Sequence, residues 1–531
     1  MRGRKDGFWF GVVCILVCFI LFPPAAHAGP KYGGTLRIAV RIPQYNRLDG
    51  LQLTTEGMVP SATMIYEGLY VPGRKGGAFP VPALATGYET EDNKVWIFHL
   101  RKGVKFHNGR EMTAEDVKAN FDWRIKTPKG WKPVKYRQQL SCLEKVEVLD
   151  RYTVKVTLSR PFSPLIGVFT WAMRAIVPPE EVEKWGKEFT LHPCGTGPYK
   201  IQEIKPKEKV VLVRNEEYWG PKPYIDRVEY YFMRSNDARM VALEKGEVDF
   251  AMLYDQSRPV LKKNPKIQWE PVTQSMAIHK LYFNMRRWPM SDVRFRKAVW
   301  MGADWKNIVI NAFPFKSGKP LRSLLDYTPY FSPEAEKYML SYNPKEAKRL
   351  IKEVEKDAGK KIPPIYYLDS SATTMKSIGE MAKMQLAQVG VPLNLQLMSH
   401  AIWFDKLLRD PKMEWDMGGY GQGFSRSPTV GLGTFRSNAG EAPDGKSIGG
   451  YANPKFDALV TKAERSMSLE ERKKIWTEME KILLKDAVCV PLFPFHVIHA
   501  WHKDRVKGVI NTDTGSVNVT TCWGANMWLE E

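Results

Sequence analysis

Three groups of residues in this 531-residue sequence have types and spacings that could do chemistry. The run His496-Val-Ile-His-Ala-Trp-His502 offers three imidazoles, the commonest side-chain ligands of a metal ion. Residues 94–121 carry His99, His107, Glu111, Glu115 and Asp116, the makings of an acid–base site. Gly419-Tyr-Gly-Gln-Gly-Phe-Ser-Arg426 combines glycines with a ring, an amide and a cation. Covalent catalysis has no such start, because the sequence offers no nucleophile–base pair to nominate. Gly421-Gln-Gly423 is not followed by G-K-[ST], so these two glycines give little support to a phosphate-cradling loop.

The elements that must position these residues weaken the first two readings. Steps of three residues along a strand throw side chains to alternate faces, so a strand over 496–502 does not gather its histidines on one metal. Val95–Leu100 alternates as a strand, and Gly103 and Asn108-Gly109 mark turns around a second short strand. Thr113-Ala-Glu-Asp116 then opens a helix as a capping box, with Glu115 and Asp116 at the positive end of its dipole. His99 and His107 fall on or beside strands with no spaced carboxylate or nucleophile nearby, so the stretch reads as scaffold. Further strands are expected over 33–40, 152–158, 209–213 and 393–397. Helices are expected from Asn343-Pro344 to Gly359, over 375–389, and from Ser468 to about Asp486. Alternating strands and helices define an α/β protein. At this length one core does not suffice, so at least two lobes are expected.

The N-terminus carries the most specific local signal. Arg2, Arg4 and Lys5 precede the apolar residues 8–22, Pro23-Pro24 break the run, and Ala26-His27-Ala28 fits a cleavage site. Fifteen apolar residues fall short of the ~20 that span a bilayer, so residues 1–28 read as a secretory signal peptide and the mature chain as periplasmic. Cys14 and Cys18 leave with that signal. Cys142, Cys194, Cys489 and Cys522 remain, which permits up to two disulfides in three pairings. The net charge of +21 comes from lysines and arginines interleaved with acids, without a basic block, so it implies a solvated basic surface and no nucleic-acid partner.

Six further motifs join that organisation in order. They are Tyr66-Glu-Gly-Leu-Tyr70, Gly195-Thr-Gly-Pro-Tyr199, Asn215-Glu-Glu-Tyr-Trp219, Gly246-Glu-Val-Asp249, Asp292-Val-Arg-Phe-Arg-Lys-Ala298 and Tyr451-Ala-Asn-Pro-Lys-Phe-Asp457. With residues 96–121, they resemble the signature of the extracytoplasmic solute-binding proteins of the peptide/nickel family, family 5, which serve ABC importers. The resemblance spans the mature chain. It implies an α/β periplasmic binding protein type II fold, with two lobes joined by a hinge and an extra inserted domain. Domain I would comprise residues 29–46, 195–272 and 489–531, domain II residues 47–194, and domain III residues 273–488. The implied protein is a monomer and no enzyme. It closes on a peptide or small polar ligand, hands it to permease subunits in the membrane, and needs no cofactor or metal.

Peptide binders of that family place an acid after a Gly-Trp pair to meet the peptide's amine. Here Tyr420 stands in place of the tryptophan and Gly423 in place of the acid. An unpaired buried ammonium costs several kcal/mol, so recognition through a peptide amine is in question at that point. Two readings of the glycine-rich stretch stay open: a flexible surface turn, or a ligand wall. In the second, Tyr420 is the ring and Gln422 or Arg426 the polar contact, beside Gly423. The resemblance also implies Trp403 as a pocket ring and Thr54-Thr55-Glu56 as a segment running along the ligand. Two rival functions remain: a metal-chelate or haem binder of the same family, and a secreted hydrolase on this scaffold.

Overall fold

The structure, a computed structural model, describes residues 29–41, 48, 59–72, 80–126, 140–423, 427–440, 442–509 and 527–530. Its first strand, β1 (Thr35–Val40), buries Leu36, Ile38 and Val40 as the alternation requires, and Ala39 as well because both faces are covered. A short hairpin follows, β2 (Tyr70–Pro72) and β3 (Pro80–Pro82). Next come β4 (Ala85–Glu89), β5 (Val95–Leu100), β6 (Leu143–Asp150) and β7 (Thr153–Leu158), which form an antiparallel sheet in the order β4-β5-β7-β6. Then come β8 (Tyr199–Lys205), β9 (Lys209–Arg214), β10 (Arg227–Phe232), β11 (Phe250–Leu253) and β12 (Ile267–Phe283). They are followed by β13 (Ile365–Ser370), β14 (Leu393–Met398), β15 (Met417–Gly423) and β16 (Cys489–His502). Val506–Lys507 and Trp528–Leu529, β17 and β18, close the chain as a small pair.

One ten-stranded sheet runs β14-β13-β15-β12-β16-β11-β1-β10-β9-β8. Its middle pair is unusually long: β12 has 17 residues and β16 has 14, against a usual five or six. Each serves two half-sheets. Near one end they flank β11, β1, β10, β9 and β8, the first lobe; near the other they flank β15, β13 and β14, the second lobe. The cores divide the same way. One gathers buried residues between 278 and 493. Another gathers those between 36 and 250 with Trp501, Val506, Met527 and Leu529.

The four-stranded sheet and the helix Ala114–Ile125 form an inserted unit on the first lobe. The helix starts where the capping box requires, with the Thr113 N–H donating to Asp116 Oδ2 at 2.8 Å. Asp116 also receives Arg110 Nη1 at 3.0 Å. Three of the sequence motifs converge on Glu67, at the seam between unit and lobe. Its carboxyl accepts from Thr196 Oγ1 (2.9 Å), Tyr218 OH (2.8 Å) and Trp219 Nε1 (2.8 Å). The glycines beside it permit backbone contact: a Cβ on Gly195 would stand 2.2 Å from Ile65 O, and one on Gly197 2.4 Å from Met64 O. His107 belongs to this seam. Its Nε2–H donates to Gly197 O (3.0 Å) and its main-chain N–H to Gly195 O (2.8 Å). Burial lowers the imidazole to about 4 and keeps it neutral.

Two expectations need correction. His99 does have a carboxylate partner, Glu89 Oε1 at 2.8 Å, delivered across the β4–β5 pair and therefore unseen in the spacing. Cys142, Cys194 and Cys489 are buried free thiols. Each two-disulfide pairing of the four cysteines needs a bridge among those three, so no two-disulfide framework exists. Burial pushes the three thiols up to about 11, 12 and 12.

The seam carries opposed pH dependences. Burial raises Glu67 to about 7 against its hydrogen bonds, so its contribution to stability is full below pH ~4.5 and is lost as pH rises through 7. His107 acts oppositely, contributing fully above pH ~6.5 and losing that as pH falls toward 4. Glu67→Gln keeps acceptors for Trp219 and Thr196 and gives Tyr218 a donor. Its stability relative to the natural protein should therefore rise by about 2 kcal/mol between pH 5 and pH 8, read from urea unfolding at both pH values.

Candidate functional site

The direction of the strands locates the cleft. In the second lobe β13 runs parallel to β14 and β15, so Ser370, Met398 and Gly423 end at one edge. In the first lobe β1 runs parallel to β10 and β11, so Val40, Phe232 and Leu253 end at one edge. Gly423 pairs with Ala277 of β12, and Leu253 with Ile498 of β16. Both sets of carboxyl ends therefore converge on the middle of the β12–β16 pair. Ligands of open α/β sheets bind outside such ends, where the connections diverge to either side. There the pairing slips: Gln274 faces Phe495 and the next registered pair is Ile278 with Pro494, which has no N–H to donate.

Over its described residues the glycine-rich stretch is not a surface turn. Residues 417–423 form β15, an interior strand, and its glycines admit neighbours on alternate faces. A Cβ on Gly418 would lie 2.4 Å from Leu407 Cδ1, one on Gly419 2.0 Å from Asp369 Oδ2, and one on Gly421 2.4 Å from Phe495 Cε2. The glycine content thus reports close packing. Tyr420, half-buried, lies 5.8 Å from the Trp403 ring and 6.2 Å from Phe404, so the two rings expected in the pocket do meet. Trp403 itself is 4% exposed and belongs to the second lobe's core, while its Nε1 has no hydrogen-bond partner among the described residues. Gln422 and Gly423 lie at the end of β15, next to the cleft; the side chain of Gln422 is outside the described residues. Thr54, Thr55, Glu56 and Arg426 lie outside them too.

Beneath Gly419 sits a pair that sequence spacing does not reveal. His279 Nε2 stands 3.5 Å from Asp369 Oδ2, both side chains buried. Asp369 also accepts from Tyr367 OH (2.9 Å) and the Ser370 N–H (2.7 Å), and His279 stacks on Phe493 at 5.1 Å. The next residue along β12, Lys280, is enclosed with the rings of Tyr282 and Phe435, each 5.5 Å from its Nζ.

A second cluster spans the gap between the lobes. Asp255, just past the end of β11, accepts from His496 Nε2 (2.5 Å), Arg258 Nε (2.5 Å) and Ser317 Oγ of the second lobe (2.6 Å). Burial alone would raise this carboxyl, but the bonds from His496, Ser317 and Arg258 outweigh it and hold it at about 2. The other histidines of the run go elsewhere. His499 is buried and lowered to about 3 by burial, and His502 Nε2 donates to Leu243 O at 2.7 Å. Among the described residues no group of three or more His, Cys, Asp or Glu is arranged to hold a metal. Next to the cluster a cavity of about 420 Å³ lies between Gln256 and the second lobe's Phe313, Lys316 and Thr373. Phe315 on its rim is 63% exposed and, like Lys316, takes a left-handed backbone (φ 56° and 54°), a strain typical of contact loops. The topological rule would have found Asp255 had the strand order been known; its partners are 62 and 241 residues away.

Because the Asp255 carboxyl is depressed, its contribution is present above pH ~4 and is lost as pH falls through 2. Asp255→Asn should cost about 2 kcal/mol at pH 7 and almost nothing at pH 2, read as the difference in unfolding free energy from the natural protein.

Known proteins share this arrangement. The profile of the bacterial extracellular solute-binding proteins, family 5 Middle, matches residues 80–442. The glutathione-binding protein GsiB of Salmonella typhimurium is 25% identical over 463 residues, covering 86% of this chain and 88% of that protein. The ABC transporter-associated periplasmic binding protein DppA of Helicobacter pylori, solved with peptide STSA, superposes with a TM-score of 0.77 at 25% identity, over 94% of this chain and 99% of that one. The ABC transporter substrate binding protein CtaP of Listeria monocytogenes gives 0.79 at 22% identity, over 94% and 100%. The two-lobed α/β arrangement is the type II periplasmic binding protein fold. The profile covers more than half of the residues, and the chain belongs to the bacterial extracellular solute-binding proteins of family 5.

Proposed function

We propose that this protein is the periplasmic receptor of an ABC importer, which captures a peptide or related small polar solute between its lobes and delivers it unaltered to the permease. One observation carries the reading: the carboxyl ends of both half-sheets face one another across a two-strand crossing. Closure over a ligand then needs only that the ligand bind the closed arrangement more tightly than the open one. Residues 29–46, 195–272 and 489–531 act as domain I, 47–194 as domain II and 273–488 as domain III, working as a monomer behind a signal peptide at 1–28. The names of two relatives, a glutathione-binding protein and a periplasmic binding protein solved with a peptide, favour peptide-like cargo. The chemistry of the cleft adds a bias. Asp255 and Asp369 are already hydrogen-bonded within the protein, and Lys316 lines the cavity beside the Asp255 cluster, which suits a cargo bearing a carboxylate.

Thermal shift of the mature protein against glutathione, short peptides, opines, sugars and organic acids tests this. A ligand at a hundred times its Kd adds about 2.7 kcal/mol of stability. No shift from any of these pools contradicts the proposal. The two rings should then separate in effect. Tyr420→Ala weakens binding of the responding ligand about tenfold with the melting temperature little changed. Trp403→Ala, cut from the core, costs about 3–5 kcal/mol of stability, read from urea unfolding of the ligand-free protein.

A further inference from the structure

The inserted unit has no part in a clamp made only of two lobes, yet among the described residues it meets the second lobe at a built contact. The helix Pro454–Arg465 of the second lobe ends in Ser466, and the carbonyls of its last turn need partners from outside the helix. Three receive them from the inserted unit. The Ser163 N–H donates to Glu464 O at 2.7 Å, Ser163 Oγ to Ala463 O at 3.0 Å, and Asn93 Nδ2 to Arg465 O at 3.2 Å. The Glu464 carboxylate, 6% exposed, is held between Arg160 of the inserted unit (2.5 Å) and Arg436 of its own lobe (3.5 Å). Val430 of the second lobe packs on the core that contains the inserted unit. Asn93 is itself set for this contact. It is 2% exposed and takes a left-handed backbone (φ 57°), a conformation asparagine tolerates better than most residues.

From this contact we infer that the inserted unit is the second jaw of the clamp: Arg160, Ser163 and Asn93 latch the end of helix Pro454–Arg465 and hold the two lobes together. The groups involved suit a reversible latch. Its hydrogen bonds cap backbone carbonyls that water satisfies when the lobes part, and its ion pair has a half-exposed arginine that rehydrates readily. The crossing strands guide the motion while the latch sets how much of the population is closed. Any molecule that binds only the closed form gains apparent affinity in proportion to that population.

The latch is testable without a ligand, and so separately from the proposed cargo. Spin labels on Leu149→Cys of the inserted unit and Met384→Cys of the second lobe report the distance across the contact; the two positions are 52% and 70% exposed. A Cys522→Ser background and the burial of Cys142, Cys194 and Cys489 keep the labels specific. Arg160→Ala and Glu464→Gln should each lower the ratio of short to long distances about tenfold, equivalent to about 1.4 kcal/mol. The conservative Arg160→Lys, which keeps a cation facing Glu464, should retain most of the short population. A distance distribution that Arg160→Ala leaves unchanged, or that Arg160→Lys shifts as far as Arg160→Ala, overturns the inference. Lys145→Ala, on the same unit and paired with Glu147, should leave the distribution as it is.

Discussion

Two antiparallel strands, β12 and β16, carry the hydrogen-bonded ladder from one lobe into the other, and the rest of the molecule is arranged around that fact. A continuous ladder fixes the two half-sheets side by side, yet the middle of this one is weak. The register slips between Gln274 and Ile278, and Pro494 contributes no donor. Rotation of one lobe against the other therefore concentrates its dihedral changes in a few residues, as a hinge requires. Since the parallel strands of both lobes end at that same line, the hinge and the cleft floor are one feature. Asp255, His496 and Ser317 tie the floor together by hydrogen bonds that cross from one lobe to the other.

Rigid lobes are the complement of a soft crossing. The motif residues that most invite a functional reading supply this rigidity. Glu67, Thr196, Tyr218, Trp219 and His107 lock the inserted unit to the first lobe, and the glycines among them let backbones meet. Glu67 and His107 titrate in opposite senses, so the seam's pH dependences partly cancel over the mildly acidic range. Anchored in this way, the inserted unit reaches the second lobe at Glu464 and gives the clamp a point of contact away from its hinge.

Local chemistry was legible wherever the partners were close in sequence. The strand Val95–Leu100, the box at Thr113, the asparagine cap at Asn343 and its left-handed Gly359, and the Ser468 cap all stand where their residues indicate. The glycine-rich stretch stayed ambiguous, because a glycine needed for close approach looks the same in sequence as one needed for a bend. Only the neighbours of Gly418, Gly419 and Gly421 separate the two. Four cysteines suggested bridges through compartment alone, yet three of them are free thiols, because pairing depends on distances that spacing does not encode. His279, Asp369 and Asp255 escaped notice for a related reason: their partners lie on other strands, brought near by the sheet order and not by any period in the sequence.

Solution scattering bears most directly on two lobes closing over a passenger. The protein would be unfolded and refolded to strip it, then measured with and without the small molecule that co-purifies with the native form. Closure over an unaltered passenger gives a smaller radius of gyration with the molecule bound, reversed on dialysis, and release of that molecule with its mass unchanged. The same radius in both states despite binding, or a released molecule of altered mass, would contradict it.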